Sequence, residues 1–405
     1  MRRVAILSLH TSPLAQPGVG DGGGMNVYVR ELVSGLAHAG VDCTTYTRAW
    51  RDDLPSEILV EPNHKVVHIP AGDPFMPKDN LIDVVPQFTD NVLQHIQANG
   101  GTDVVHANYW LSGLAGHSLK HELNVPLVST FHTFARVKAL GGDPESELRE
   151  RAETEVIGCS DAICVSCTEE ERQFIELYGT PPGQIEIVAP GVEHAFFAPG
   201  DKRGARKALD LGDGPVLLFV GRIQPLKGAD VAVRALAALG RKNATLLIVG
   251  GASGTEGERE IAHVHSLIQE FKLESQVRFV EPQAHHILST YYRAADVVLV
   301  PSRSESFGLV ALEAAACGTP VVANAVGGLL TIVEHGRTGF LVADRQPEVF
   351  ARHIANILDD PACQNACRFL RLSVLVDTRG VLLQHVFVVR TPTSHLATAW
   401  CASNA

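Results

Sequence analysis

No stretch of these 405 residues holds the roughly 18 uninterrupted apolar residues that crossing a bilayer takes. The apolar run at the N-terminus stops at Leu9, too short for a signal-peptide core with a cleavage site behind it. It reads instead as a first strand, and the chain as a cytoplasmic one without stable membrane insertion. Basic charge is short as well, since 34 Lys and Arg face 45 Asp and Glu for a formal net charge of −11. That balance excludes a nucleic-acid binder and a general membrane-surface binder. The eight cysteines are scattered, so no secreted disulfide framework is expected. Cys164 and Cys167 form a literal C-x-x-C at the apolar run Ala162 to Val165, where residues three apart face opposite sides of a sheet. No second C-x-x-C and no histidine pair completes a zinc site with them, so both thiols read as buried or incidental.

What the chain does hold is an alternation of buried strands and helices, with enough apolar residues (45%) to fill two cores. Val4 to Leu9 is a continuous apolar strand of the parallel-sheet type. A glycine-rich loop, His10 to Gly24, leads to a helix with Met25, Val29, Leu32, Val33 and Leu36 on one face and Gly40 at its end. Gly18 to Gly23 matches G-x-G-x-x-G, which raises a dinucleotide-binding dehydrogenase as a rival. The context argues against it: about nine residues separate the glycines from the strand, and the next strand, Cys43 to Thr47, ends at Arg48 without a ribose-binding acid. The glycines instead let backbone N–H groups approach a phosphate at the following helix end. Asp103 to His106 and Val125 to Phe131 read as further strands entering a crevice. The second of these puts His132 at a strand's carboxyl end, where ligands collect in open α/β sheets.

Proline and glycine cluster from Val188 to Val192 and again from Pro199 to Asp201, marking a linker, after which the pattern restarts. Val216 to Val220 is a buried strand, closed by Gly221, and Arg222 to Gly228 leads into a helix from Ala229. Arg222 and Lys227 flank that loop at the crevice edge. Leu246 to Gly251 repeats the strand-then-glycine form, and Val277 to Val280 precedes Gln283. A last buried strand ends at Pro301, followed by SESFGLVALEAAACGTP, in which Glu305 and Glu313 stand eight apart around a helix expected to start near Phe307. Its N–H groups and positive dipole end make an anion site, with Glu305 placed to accept from sugar hydroxyls and Glu313 pointing back into the same crevice.

This E-x7-E stretch resembles the signature of a large family of retaining glycosyltransferases that includes sucrose and glycogen synthases. The resemblance covers about residues 1–365. It implies a GT-B α/β fold, two Rossmann-like doubly wound parallel-sheet domains facing a central cleft. The domains would be 1–190 for the acceptor and 191–365 for the nucleotide sugar, with an atypical tail at 366–405. The phrases SLHTSPLAQPG, GDGGGMNVY, HANYWLSG and FHTFARVK resemble a branch of that family. Its members move N-acetylglucosamine from UDP-N-acetylglucosamine to 1D-myo-inositol 3-phosphate, the step that opens mycothiol synthesis in actinobacteria.

Carried over residue by residue, the resemblance gives Glu305 and His132 the donor sugar, Glu313 the ribose, and Arg222 and Lys227 the diphosphate as catalytic cations. Gln16, Pro17, Gly24 and Gln283 also fall to the donor. The acceptor falls to His10, Asp21, Gly22, Gly23, Gly24, Met25, Asn26, Lys78, Tyr109, Thr133 and Arg149, with Arg151 competing for the place of Arg149. Cations suit the acceptor phosphate, and hydroxyls and amides suit the ring hydroxyls. Magnesium in the family sits near positions matching Tyr292, Arg293, Ala295 and Thr319. None of these is acidic and no D-x-D stands nearby, so a structural ion at most is implied, and catalysis is expected to need no cofactor. Arg303 is atypical for its position. A homodimer is left open, as are two alternatives: a sucrose-phosphate-synthase-like acceptor such as fructose 6-phosphate, and a nucleotide-sugar binder without turnover.

From about Arg368 the tail holds one acidic residue and no helical stripe, where the family ends in an amphipathic helix bracing the first domain. A shifted reading frame and a divergent end both explain it. The reading predicts that limited proteolysis cuts first within 369–405; a tail that resists while the domains are cut sinks it.

Overall fold

The computed structural model describes residues 2–18 and 22–360. The sequence readings at Asp21 and over the tail 366–405 lie outside the described residues. Short runs of aliphatic and β-branched residues make most strands, and most are buried on both faces, the pattern that parallel sheets need when helices cover each side. In chain order the first eight are β1 (Arg3–Leu7), β2 (Asp42–Arg48), β3 (Glu57–Glu61), β4 (His64–Ile69), β5 (Val104–Asn108), β6 (Leu127–Thr130), β7 (Ala162–Val165) and β8 (Gln184–Ile187). They form one sheet in the order β3-β4-β2-β1-β5-β6-β7-β8. The remaining six are β9 (Val216–Val220), β10 (Thr245–Val249), β11 (Val277–Val280), β12 (Val297–Val300), β13 (Val321–Asn324) and β14 (Gly339–Val342). They form a second sheet, β11-β10-β9-β12-β13-β14, parallel throughout.

This is the doubly wound GT-B class expected, with one addition. β3 pairs antiparallel with β4, with a register shift at Leu59/Glu61, and forms an edge hairpin that the sequence pattern did not suggest. Its exposed Leu59 and Val60 sit between acids at both ends, so the strand reads as a polar loop until β4 is seen to pair with β2. Strand order reverses between β1 and β5 in the first sheet and between β9 and β12 in the second. Ligands gather at the carboxyl ends of strands beside such reversals.

Two local readings change. The helix after Glu305 begins at Leu309 rather than Phe307, because Gly308 takes a left-handed φ of +104° and makes the turn. β7 ends at Val165, so Cys167 lies beyond it at the start of the helix Thr168–Tyr178. Cys164 packs with Val4 and Ile6 in the first domain, whereas Cys167 packs with Phe197 and Val298 in the second. Both thiols are unpaired and buried, and they serve different cores.

After β13 the chain turns at Gly327 and Gly328, and the Gly328 N–H donates to the Glu305 carbonyl at 3.0 Å. At Gly327, φ is +49°, and a Cβ there would collide with that same carbonyl oxygen. Gly327→Ala therefore combines a left-handed penalty of about 1–2 kcal/mol with displacement of the Glu305 loop. At about 2–4 °C per kcal/mol for a domain of this size, scanning calorimetry should show the second domain melting several degrees lower, with glycosyl transfer falling further than stability. Unchanged melting and turnover would show that the turn does not set the loop.

Candidate active site

At the reversal of the second sheet, the loops leaving β9 and β12 lie side by side. Lys227, on the first loop, holds Glu305, on the second, through an ion pair of 2.7 Å, and Ser302 Oγ donates to the same carboxylate oxygen at 3.3 Å. Arg222 leaves the end of β9 and reaches Ser253 Oγ at 3.4 Å. A Cβ on Gly23, in the first domain's glycine loop, would lie 3.5 Å from the Arg222 guanidinium. The glycine loop thus runs within van der Waals reach of the cation.

Glu313 lies on the helix Leu309–Ala316 with its side chain 6% exposed, accepting from Tyr292 OH and His285 Nε2, each at 2.7 Å. Burial and the adjacent carboxylate push the Tyr292 phenol well above its ordinary value, so it remains a donor. His285 Nδ1 lies 3.1 Å from Arg30 Nη2, on the first domain's helix Gly24–His38. A guanidinium can only donate, so Nδ1 accepts and Nε2 carries the proton given to Glu313. Arg30, His285 and Glu313 thus form a relay across the cleft. Sequence reasoning missed Arg30 and His285, because nothing in their own spacing marks them.

In the first domain, β1 delivers His10, β5 delivers Asn108 and Tyr109, and β6 delivers His132 and Thr133. Tyr109 and His132 hold φ of +75° and +63°, conformations that are costly for side-chain-bearing residues and that concentrate at ligand sites. His132 Nε2 donates to Asn108 Oδ1 at 2.9 Å, and burial, with His106 nearby, pushes its imidazole down to about 3. His10 packs on Tyr109 at 4.4 Å between ring centres. It is held well below the usual imidazole range by burial first and then by Lys78, His132, Arg222 and Arg149. Both histidines are therefore neutral hydrogen-bonding groups at neutral pH. His10 Nδ1 and Asn108 Nδ2 are among the buried side-chain atoms of the described residues without a hydrogen-bond partner, and His10 lines the cavity between the domains.

Arg149 uses all five of its N–H donors. Nε binds Glu153, Nη1 binds Tyr109 OH and Glu145, and Nη2 binds the carbonyl and hydroxyl of Thr133, at distances from 2.7 to 3.2 Å. Glu145 also pairs with Lys138, so one carboxylate bridges two cations. Lys78 Nζ stands 5.9 Å from the Tyr109 ring centre.

These groups share one cavity of about 1070 Å³ between the domains. His10, Lys78, Tyr109, His132, Thr133 and Arg149 line it from one side, and Arg222, Lys227, Gln283, Glu305 and Glu313 from the other, with Pro17, Gly23, Gly24 and Met25 along the loop. Gln16, Gly22 and Asn26 are not on its wall. Gln16 donates to the Pro282 carbonyl across the cleft at 2.9 Å. The Asn26 amide is consumed by its own loop, accepting from Gly23 N and donating to Thr11 and Ser12, so it shapes the glycine turn. Arg303 lines the cavity from an exposed position. Arg149 is 3% exposed, whereas Arg151 is 78% exposed in a surface pair with Glu147.

At the four positions raised for magnesium, the side chains offer no free ligand, so only main-chain carbonyls could hold a structural ion there. Thr319 Oγ1 already donates to the Tyr292 carbonyl at 2.6 Å, the Arg293 guanidinium binds the carbonyls of Ala198 and Phe196, and the set offers no carboxylate.

Removing the Arg149 side chain leaves Glu153 fully buried and short of its cation, a loss of about 3–5 kcal/mol. Arg151→Ala should change stability by less than about 1 kcal/mol. Urea denaturation of the two variants checks this, and equal midpoints would refute the contrast.

Similarity to known proteins follows the same division. The Glycosyltransferase Family 4 model matches residues 22–196 and the model for Glycosyl transferases group 1 matches residues 201–369. A D-inositol 3-phosphate glycosyltransferase 2 of Catenulispora acidiphila is 44% identical over 392 residues, 91% of each chain. The D-inositol 3-phosphate glycosyltransferase of Acidothermus cellulolyticus is 45% identical over 88% of this chain and 83% of its own. Among solved structures, a sucrose-phosphate synthase from Thermosynechococcus elongatus superposes with a TM-score of 0.88 at 33% identity, over 95% of this chain and 97% of that one. Anabaena HepE in complex with UDP-glucose superposes at 0.72 over 95% of each chain, and at 19% identity it speaks for the fold alone. With its paired sheets, its shared cavity and these relatives, the chain belongs to the D-inositol 3-phosphate glycosyltransferase family of two-domain glycosyltransferases.

Proposed function

We propose that this enzyme moves N-acetylglucosamine from UDP-N-acetylglucosamine to inositol 3-phosphate with retention of configuration, in the cytoplasm and as the first step of mycothiol synthesis. The observation that carries the reading is the single cavity in which Arg222, Lys227 and Glu305 face His10, Tyr109, Thr133 and Arg149. The diphosphate lies against Arg222 and Lys227, whose charges balance the negative charge that grows as the anomeric C–O bond breaks. Preorganised cations of this kind are usually the largest single contribution to such a rate. Lys227 exchanges its present partner, Glu305, for phosphate oxygen, and the released carboxylate accepts from the sugar hydroxyls. Glu313, oriented by Tyr292 and His285, takes the ribose hydroxyls.

On the acceptor side, Glu145 stands where an anion is wanted, between Lys138 and Arg149. The acceptor phosphate displaces it, and neutral His10 receives a ring hydroxyl at Nδ1. The acceptor oxygen attacks from the face the diphosphate leaves, its proton passing to the departing phosphate oxygen. Three of the cavity's carboxylates are already engaged: Glu305 and Glu313 as above, and Glu170, which accepts from Ser166 N and Oγ at its own helix start. The fructose 6-phosphate reading draws support from the likeness to sucrose-phosphate synthase at 33% identity, while the higher identity of 44–45% to the inositol 3-phosphate glycosyltransferases favours the inositol acceptor.

One assay separates the readings. UDP release is measured with UDP-N-acetylglucosamine and, in turn, inositol 3-phosphate and fructose 6-phosphate. Turnover with the first alone supports the proposal, turnover with the second alone transfers it to the other acceptor, and binding without release defeats both. Lys227→Ala should lower kcat by about 10²–10³ with donor affinity falling less. A variant that keeps wild-type kcat would remove Lys227 from the leaving-group site.

A further inference from the structure

Away from the cleft, the C-terminal ends of the helices Trp110–Leu123 and Glu147–Cys159 lie together on the first domain. His117 and His121 are four apart on the first helix and so share a face. Cys159 is the last residue of the second. One ligating atom from each of the three lies within 4.8 Å of the other two. Cys159 Sγ and His121 Nε2 are 3.3 Å apart. A tetrahedral zinc ion with bonds of about 2.0–2.1 Å to nitrogen and about 2.3 Å to sulfur holds such atoms roughly 3.5 Å apart, so the groups need little movement.

The surroundings suit a metal. Glu155 Oε1 lies 3.1 Å from His117 Nδ1, so the carboxylate takes that N–H, fixes the ring and leaves Nε2 to ligate. His121 is exposed while His117 and Cys159 are half-buried, which gives an ion a way in and a wall behind it. Lys120, the nearest cation, is neutralised by Asp161 at 2.7 Å and holds the Cys159 carbonyl at 2.7 Å. It steadies the backbone of the ligand. Burial raises the Cys159 thiol, so it carries a proton before an ion arrives.

We propose that His117, His121 and Cys159 bind one Zn²⁺, with Glu155 orienting His117 and water completing the tetrahedron. On binding, the thiol proton passes to buffer and a Zn–S bond forms. Two imidazoles and a thiolate favour zinc or cobalt over magnesium or calcium. The site is structural: His121 stands eleven residues, or about 16 Å of helix rise, from Trp110 at the cavity. The ion clips together two helices whose other parts carry Trp110 and Arg149. The sequence reading sought a histidine pair for Cys164 and Cys167, and the pair present serves Cys159 instead, 38 residues from His121.

The test uses the full chain, stripped with chelator and titrated with Zn²⁺ against a chromophoric competitor, and separately with Co²⁺. Expected are one tightly bound Zn²⁺ per chain, a higher melting temperature with Zn²⁺, and a thiolate-to-cobalt charge-transfer band. Cys159→Ser and His121→Ala should each weaken binding at least about 100-fold and abolish the melting shift, and Cys159→Ser should remove the cobalt band. Glu155→Gln should weaken binding about 10- to 100-fold. Glycosyl transfer by all three stays near wild type. Weak or superstoichiometric uptake, or a cobalt band that survives Cys159→Ser, overturns the site.

Discussion

The ion pair between Lys227 and Glu305 joins the loops that leave β9 and β12, neighbours across the reversal of the second sheet. It is half-buried, so its worth lies less in stability than in geometry. It holds a cation and a carboxylate at the spot where a phosphate and a sugar would be read, and each can let go of the other when a ligand arrives. The Gly327–Gly328 turn packs directly on the Glu305 backbone and fixes one end of the pair. Gly228 starts the helix after Lys227 and fixes the other.

The first domain meets the loops around this pair through close backbone and hydroxyl contacts. Gly23 lies against Arg222, and a Cβ on Gly24 would touch Leu309 at 3.4 Å. Ser306 Oγ donates to the His132 carbonyl, and Ser166 Oγ reaches the Ser306 carbonyl at 3.3 Å. With Arg30 on His285, these bonds make the state of the cleft felt at both glutamates. Cleft opening would break the Arg30–His285 bond and so remove one restraint on the ring that donates to Glu313.

Much of this was legible because it is local. A buried strand, a glycine and a cation before a helix is a pattern in sequence, and so is a pair of acids eight apart around a helix start. Glu305 and Glu313 also line one cavity in the fold. What stayed hidden depends on pairing between distant segments. β3 shows only three apolar residues between acids, and its partner β4 is needed to make it a strand. Arg30 and His285 are separated by 255 residues, and their bond exists only once two domains face each other. Asn26 was assigned to the acceptor by resemblance alone. The fold spends its amide on the glycine turn, which only the loop's closed path makes visible.

The neutrality of His10 and His132 bears on how such a cavity works. Cations crowd one imidazole, burial desolvates both, and neither is disposed to carry a proton at neutral pH. A general-base route through either ring would have to lift its basicity against burial and, for His10, against Lys78, Arg222 and Arg149. The carboxylates on the wall that the donor would meet are engaged already, one by a lysine and one by a phenol and an imidazole. With proton-transfer and covalent groups so constrained, what remains to lower the barrier is fixed positive charge beside the leaving group. In the proposed reaction the departing phosphate oxygen takes the proton of the attacking hydroxyl. It stands on the face being vacated, so the proposed reaction would retain configuration without an enzymic nucleophile.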